Sequence, residues 1–82
     1  MREDIAMESY ALEMGFKVEK GSVVVDGQPK APLKFKKGNV HVWLGSFGWM
    51  VAEDHNGSLY GRELIGPLRE ALDEAVRRAD HV

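Results

Sequence analysis

Apolar and polar positions change their period along this chain, and each change marks a predicted element. From Asp4 to Met14 the spacing is helical: at about 100° per residue, Ala6, Met7, Tyr10, Ala11 and Met14 share one broad apolar face. Asp4 suits the N-cap, and Gly15 suits the left-handed position past the helix end. Ile5 and Leu12 fall nearly opposite the main stripe, so this helix touches two things. They are the sheet and the C-terminal helix, or the sheet and a second copy of the chain, in which case Ile5 and Leu12 make a homodimer contact.

From residue 16 the period shortens to two. Residues 16–26 read as a strand, with the β-branched run Val23-Val24-Val25 and the turn pair Asp26-Gly27. Pro29 and Pro32 then make 28–32 an extended loop. Leu33-Lys34-Phe35-Lys36-Lys37 and Val40-His41-Val42-Trp43-Leu44 both alternate, around the turn Gly38-Asn39. A two-residue hairpin there sets Lys37 opposite Val40, Lys36 opposite His41, Phe35 opposite Val42, Lys34 opposite Trp43 and Leu33 opposite Leu44. Leu33, Phe35, Val40, Val42 and Leu44 are then the core face, and Lys34, Lys36, His41 and Trp43 the other.

A turn at Gly45-Ser46-Phe47-Gly48, tipped by Ser46-Phe47, adds Trp49 and Val51 to the core face and Met50 and Ala52 to the face of Trp43. A slip of one residue exchanges Trp49 with Met50. Asn56-Gly57 is a further hairpin turn, returning through Ser58–Gly61. Residues 62–65 either extend that strand or open a helical turn. Gly66-Pro67 starts the last helix, whose apolar stripe is Leu68, Ala71, Leu72, Ala75, Val76 and Ala79. Its other face pairs Arg69 with Asp73, Asp73 with Arg77 and Glu74 with Arg78, and reads as a solvated surface. The expected fold is α+β: an N-terminal helix, a four- to five-stranded antiparallel meander and a C-terminal helix, in one domain over residues 1–82.

Composition narrows the function classes. At 82 residues there is room for one core, and 44% apolar residues suit a globular chain. Cysteine is absent, which removes disulfides, thiolate nucleophiles and Cys-based zinc sites. An acidic start and no apolar run of about 20 residues lead to the expectation of a soluble, cytoplasmic protein with no membrane role. The net charge of −2 conceals a division: every lysine lies between positions 17 and 37, and every arginine lies outside that stretch. A basic region within a slightly acidic protein suits phosphate or an acidic partner, and equally suits protection of exposed strands from edge pairing.

The residues offer no catalytic, metal or cofactor set. His41, His55 and His81 lack metal-ligand spacing, and Glu53 and Asp54 are neighbours on a strand, so they point to opposite faces. No serine stands in a nucleophile elbow, and neither phosphate-loop pattern occurs. What remains is surface. Trp43 with Lys34, Lys36 and His41 makes a basic-aromatic patch if its face is open, and a core tryptophan if a helix covers it. Phe47 stands at a turn tip, where an aromatic ring has little structural use. Lys34, Lys36, His41, Trp43 and Phe47 are therefore the candidate partner-binding residues.

The expectation is a small non-enzymatic protein that binds a larger protein or complex as an inhibitor or adaptor. By type it is comparable with the anti-defence proteins of phages and mobile elements. The alternative is a nucleic-acid-binding module using the same basic-aromatic face.

Overall fold

The alternating segments close into one open antiparallel sheet in a computed structural model of the chain, which describes residues 3–21 and 32–80. Two short helices come first, α1 (Glu3–Ala6) and α2 (Glu8–Glu13). Five strands follow: β1 (Lys17–Lys20), β2 (Pro32–Lys37), β3 (Val40–Gly45), β4 (Gly48–His55) and β5 (Ser58–Gly66). The last element is α3 (Leu68–Ala79). The strands lie in the sheet in chain order, each antiparallel to the next. The α+β meander is as the periodicity requires.

Local chemistry sets the turns. Gly38 has φ 60° and begins the two-residue β2–β3 turn, as a type II′ turn needs at its first central position. Asn56 and Gly57, with φ 57° and 86°, give β4–β5 the double positive φ of type I′. Lys34, Phe35, Lys36 and Lys37 accordingly face Trp43, Val42, His41 and Val40. Across β3 and β4, Val42 faces Val51, Trp43 faces Met50 and Leu44 faces Trp49, so the unslipped register is the correct one. Two irregularities let β5 run on to Gly66, which settles residues 62–65 as strand.

One face of the sheet carries the core. Phe35, Val40, Val42 and Val51 are fully buried there against Leu68, Ala71, Leu72 and Ala75 of α3, with Ala11 of α2 and Phe16 alongside. Each buried aliphatic side chain of this kind is worth about 1.5–3 kcal/mol. Trp49 sets its ring edge-on to Phe35 at 5.7 Å. Both helices are on this side: the Tyr10 hydroxyl donates to Asp73 Oδ1 of α3 at 2.5 Å, and the Arg69 guanidinium lies 4.6 Å from the Tyr10 ring centroid.

Several expectations are corrected. The first helix is not continuous from Asp4 to Met14; it breaks at Met7, Asp4 lies within α1 rather than capping it, and nothing in the sequence explains the break. Ala6, expected on its buried stripe, is exposed. Leu33 and Leu44 are exposed rather than core, since they sit at strand ends outside the buried cluster. Pro32 belongs to β2 and not to the preceding loop, and Pro67 is the N-cap of α3 with φ −67° and ψ 137°. The Ser22–Val25 run, the Asp26-Gly27 turn and loop positions 28–31 lie outside the described residues.

α3 also departs from a plain solvated face. Arg78, 12% exposed, donates to Gly61 O at 2.7 Å, to Glu63 Oε1 at 3.0 Å and to Glu74 Oε1 at 3.1 Å. One side chain thereby ties the helix to the β5 irregularity. Arg77 turns to Glu74 instead of the expected Asp73, which is occupied by Tyr10.

Candidate partner-binding surface

With α2 and α3 on the same side, the opposite sheet face is covered by no helix among the described residues. Its side chains follow from register, because alternate residues share a face. Two rows cross the strands. One runs Lys17, Lys36, His41, Ala52; the other runs Glu19, Lys34, Trp43, Met50, Leu64. Lys34, Lys36, His41 and Trp43 thus form one two-by-two block on β2 and β3. The question of Trp43 is answered: it is half-buried on the face away from the helices, and so is Met50 beside it.

Phe47 is separate from this block. It projects from the two-residue turn between β3 and β4 and is 88% exposed. Leu33 at the start of β2, Leu44 at the end of β3 and Leu64 near the end of β5 lie at the same end of the sheet and are also exposed. Leu33 and Leu44 flank the helix side, Trp43, Met50 and Leu64 the open side, and Phe47 the tip. An exposed cluster of large apolar side chains marks interaction surfaces on soluble proteins. Periodicity had assigned Leu33 and Leu44 to the core and did not single out Met50 or Leu64.

The electrostatics of the block centre on His41. Its ring is buried, with 6% of the residue exposed, and neither ring nitrogen makes a hydrogen bond. Nε2 stands 3.4 Å from Asp54 Oδ2. Burial pushes the His41 imidazole below its ordinary pKa, Lys34 and Lys36 push the same way, and Asp54 opposes them. Asp54 is otherwise structural: its Oδ1 accepts from Gly57 N at 2.9 Å, and its backbone N donates to Asn39 O at 2.7 Å, holding two turns together. Glu53 points the other way, 4.0 Å from Arg78, as neighbours on a strand must.

No cluster of three or more metal-ligating side chains occurs among the described residues. No described helix is long and apolar enough to cross a membrane. His55, at the polar turn, packs against the Tyr60 ring at 5.5 Å. The sheet has one helix-covered core face and a second face on which Lys36 is exposed, Lys34, Trp43 and Met50 are half-buried, and His41 and Ala52 are buried. No protein-family model, curated protein or solved structure matches the chain.

Proposed function

We propose that this is a small, non-enzymatic protein-interaction protein that acts as an inhibitor or adaptor by docking the apolar end of its sheet onto a larger protein. The observation that carries the reading is Phe47, 88% exposed at a turn tip, at the end of the sheet that also exposes Leu33, Leu44 and Leu64. A phenylalanine there adds nothing to the core, and aromatic side chains are favoured anchors at protein interfaces. Trp43 and Met50 continue the apolar surface onto the open face, and Lys34 and Lys36 border it with charge.

A second reading rests on Lys34 and Lys36 beside Trp43, a composition that suits a nucleic-acid strand, with phosphates on lysine and a base on the indole. One experiment separates the two: affinity capture from host lysate, with and without nuclease, using the unaltered protein, Phe47→Ser and Lys34→Glu/Lys36→Glu. The protein-docking reading expects a protein partner that survives nuclease and moderate salt and is lost with Phe47→Ser. Phe47→Ser itself should change folding stability by less than about 0.5 kcal/mol, as for an exposed site. Recovery of nucleic acid alone, lost with the lysine variant and steeply with salt, would overturn it in favour of the second reading.

A further inference from the structure

Lysines opposite one another on neighbouring antiparallel strands repel, and the sheet ordinarily avoids that arrangement. Lys17 faces Lys36 directly across β1 and β2. Other described lysines have compensation. Lys20 Nζ lies 2.7 Å from Glu8 Oε1, Lys37 Nζ donates to Met14 O at 2.7 Å, and Lys34 faces Glu19 across the same two strands. Lys17 and Lys36 make no ion pair or hydrogen bond among the described residues. Both line a groove of about 290 Å³ together with Gly15 and Gly38. One strand further in, the buried His41 faces Lys36, with its Nε2 3.4 Å from Asp54 Oδ2.

We propose that the groove between Lys17 and Lys36 binds a phosphate dianion, free or carried as a phosphomonoester. Two ammonium groups match two negative charges. A tetrahedral group presents oxygens in several directions to lysines on neighbouring strands, whereas a carboxylate has two oxygens in one plane. Glu19 faces Lys34 rather than this row, and Asp54 stands beside His41 Nε2. The site does not rest on the partner-docking reading, because its ligand is small and its residues lie away from Phe47.

The test is an amide correlation spectrum of the whole protein near neutral pH, with sodium phosphate replacing sodium chloride at constant ionic strength. Saturable shifts are expected at the amides of Gly15, Lys17, Lys36 and Gly38. O-phosphoserine should reproduce them, since a phosphomonoester is largely dianionic above a second pKa of about 6. Dimethyl phosphate carries one charge and should bind about tenfold more weakly, the scale of one lost charge-assisted contact. Lys17→Glu and Lys36→Gln should each weaken phosphate about tenfold or more on the same grounds. Lys17→Glu also relieves the cross-strand repulsion, so its Tm should rise by about 1–4 °C while its affinity falls. A further readout is the His41 titration, which should move to higher pH when phosphate is bound. Shifts that never saturate, or an unchanged affinity in both variants, would overturn the site. Binding of dimethyl phosphate or a short oligonucleotide as tight as that of phosphate would overturn the dianion assignment and give the groove to a nucleic-acid backbone.

Discussion

Two residues show how much a single position decides in this fold. Gly48 has φ 139°, and a Cβ built there would lie 2.8 Å from the Gly66 Cα. Both the backbone conformation and the contact exclude a side chain, so Gly48→Ala should destabilise by about 1–3 kcal/mol, measured by urea unfolding. The glycine was legible as a turn residue; its second reason, the close approach of β5, depends on pairing that a linear pattern does not contain. His41 is the other case. Unfolded, it titrates near 6.5, and in the fold it titrates lower because burial and two lysines disfavour its charge. Between those values the unfolded chain holds a proton that the folded chain does not. Stability is therefore whole above pH 6.5 and declines as pH falls below it. His41→Asn should flatten that part of the stability curve, and an unchanged slope would contradict the assignment. Alternation placed His41 on the same face as Trp43. Its burial was not legible, since it depends on what stands around it in three dimensions.

At the scale of elements, hairpins were the most legible and the first helix the least. Gly38-Asn39 and Asn56-Gly57 specify their turns through φ alone, and the registers of β2, β3 and β4 follow residue by residue. The break at Met7 has no such local cause. Lys37 offers a signal that parity alone contains: it shares a face with Phe35, so it points toward the helices, where it reaches the carbonyl of Met14, the C-cap of α2. α3 displayed its stripe in sequence, but the role of Arg78 depends on Gly61 and Glu63, brought to it by β5. Arg78→Ala should cost about 0.5–1.5 kcal/mol, because it removes a part-buried hydrogen bond to Glu74 and exposed ones to Gly61 and Glu63. Arg78→Lys should recover only part of that loss, since an ammonium lacks the guanidinium fork. Glu74 belongs to the same cluster. Hydrogen bonding to Arg77, and then to Arg78, holds its carboxyl at about 2, against 4.5 for a free glutamate. A lowered carboxyl pKa gives stability that is complete above 4.5 and is lost as pH falls toward 2. Glu74→Gln should remove that acid limb, in a window separate from that of His41.

At the scale of the molecule, placing both helices on one side of the sheet is the fact that sequence left open. Helix α2 meets its own domain through Tyr10 and Ala11, and the second apolar side of the first segment remains with Leu12 57% exposed. If that side joins two copies, Leu12→Asp should give monomers in sedimentation, and a monomeric unaltered protein at high concentration would sink the idea. Lys34, Lys36, His41 and Trp43 stand as the block that alternation around Gly38-Asn39 implies, with Phe47 apart at its turn tip.

The order of the strands has a kinetic consequence. Each of β2 to β5 pairs with its neighbour in sequence through a two-residue turn, so zipping this part of the sheet closes very short loops. Loop-closure entropy is small for such steps, and chains dominated by local contacts fold on the microsecond-to-millisecond scale. The N-terminal segment is different. Tyr10 reaches Asp73 across 63 positions, a contact whose entropy is met only after the hairpins stand. In a stopped-flow experiment the N-terminal segment should therefore dock late. Substitutions at Tyr10 should then act mainly by speeding unfolding, and substitutions in the central turns by slowing folding.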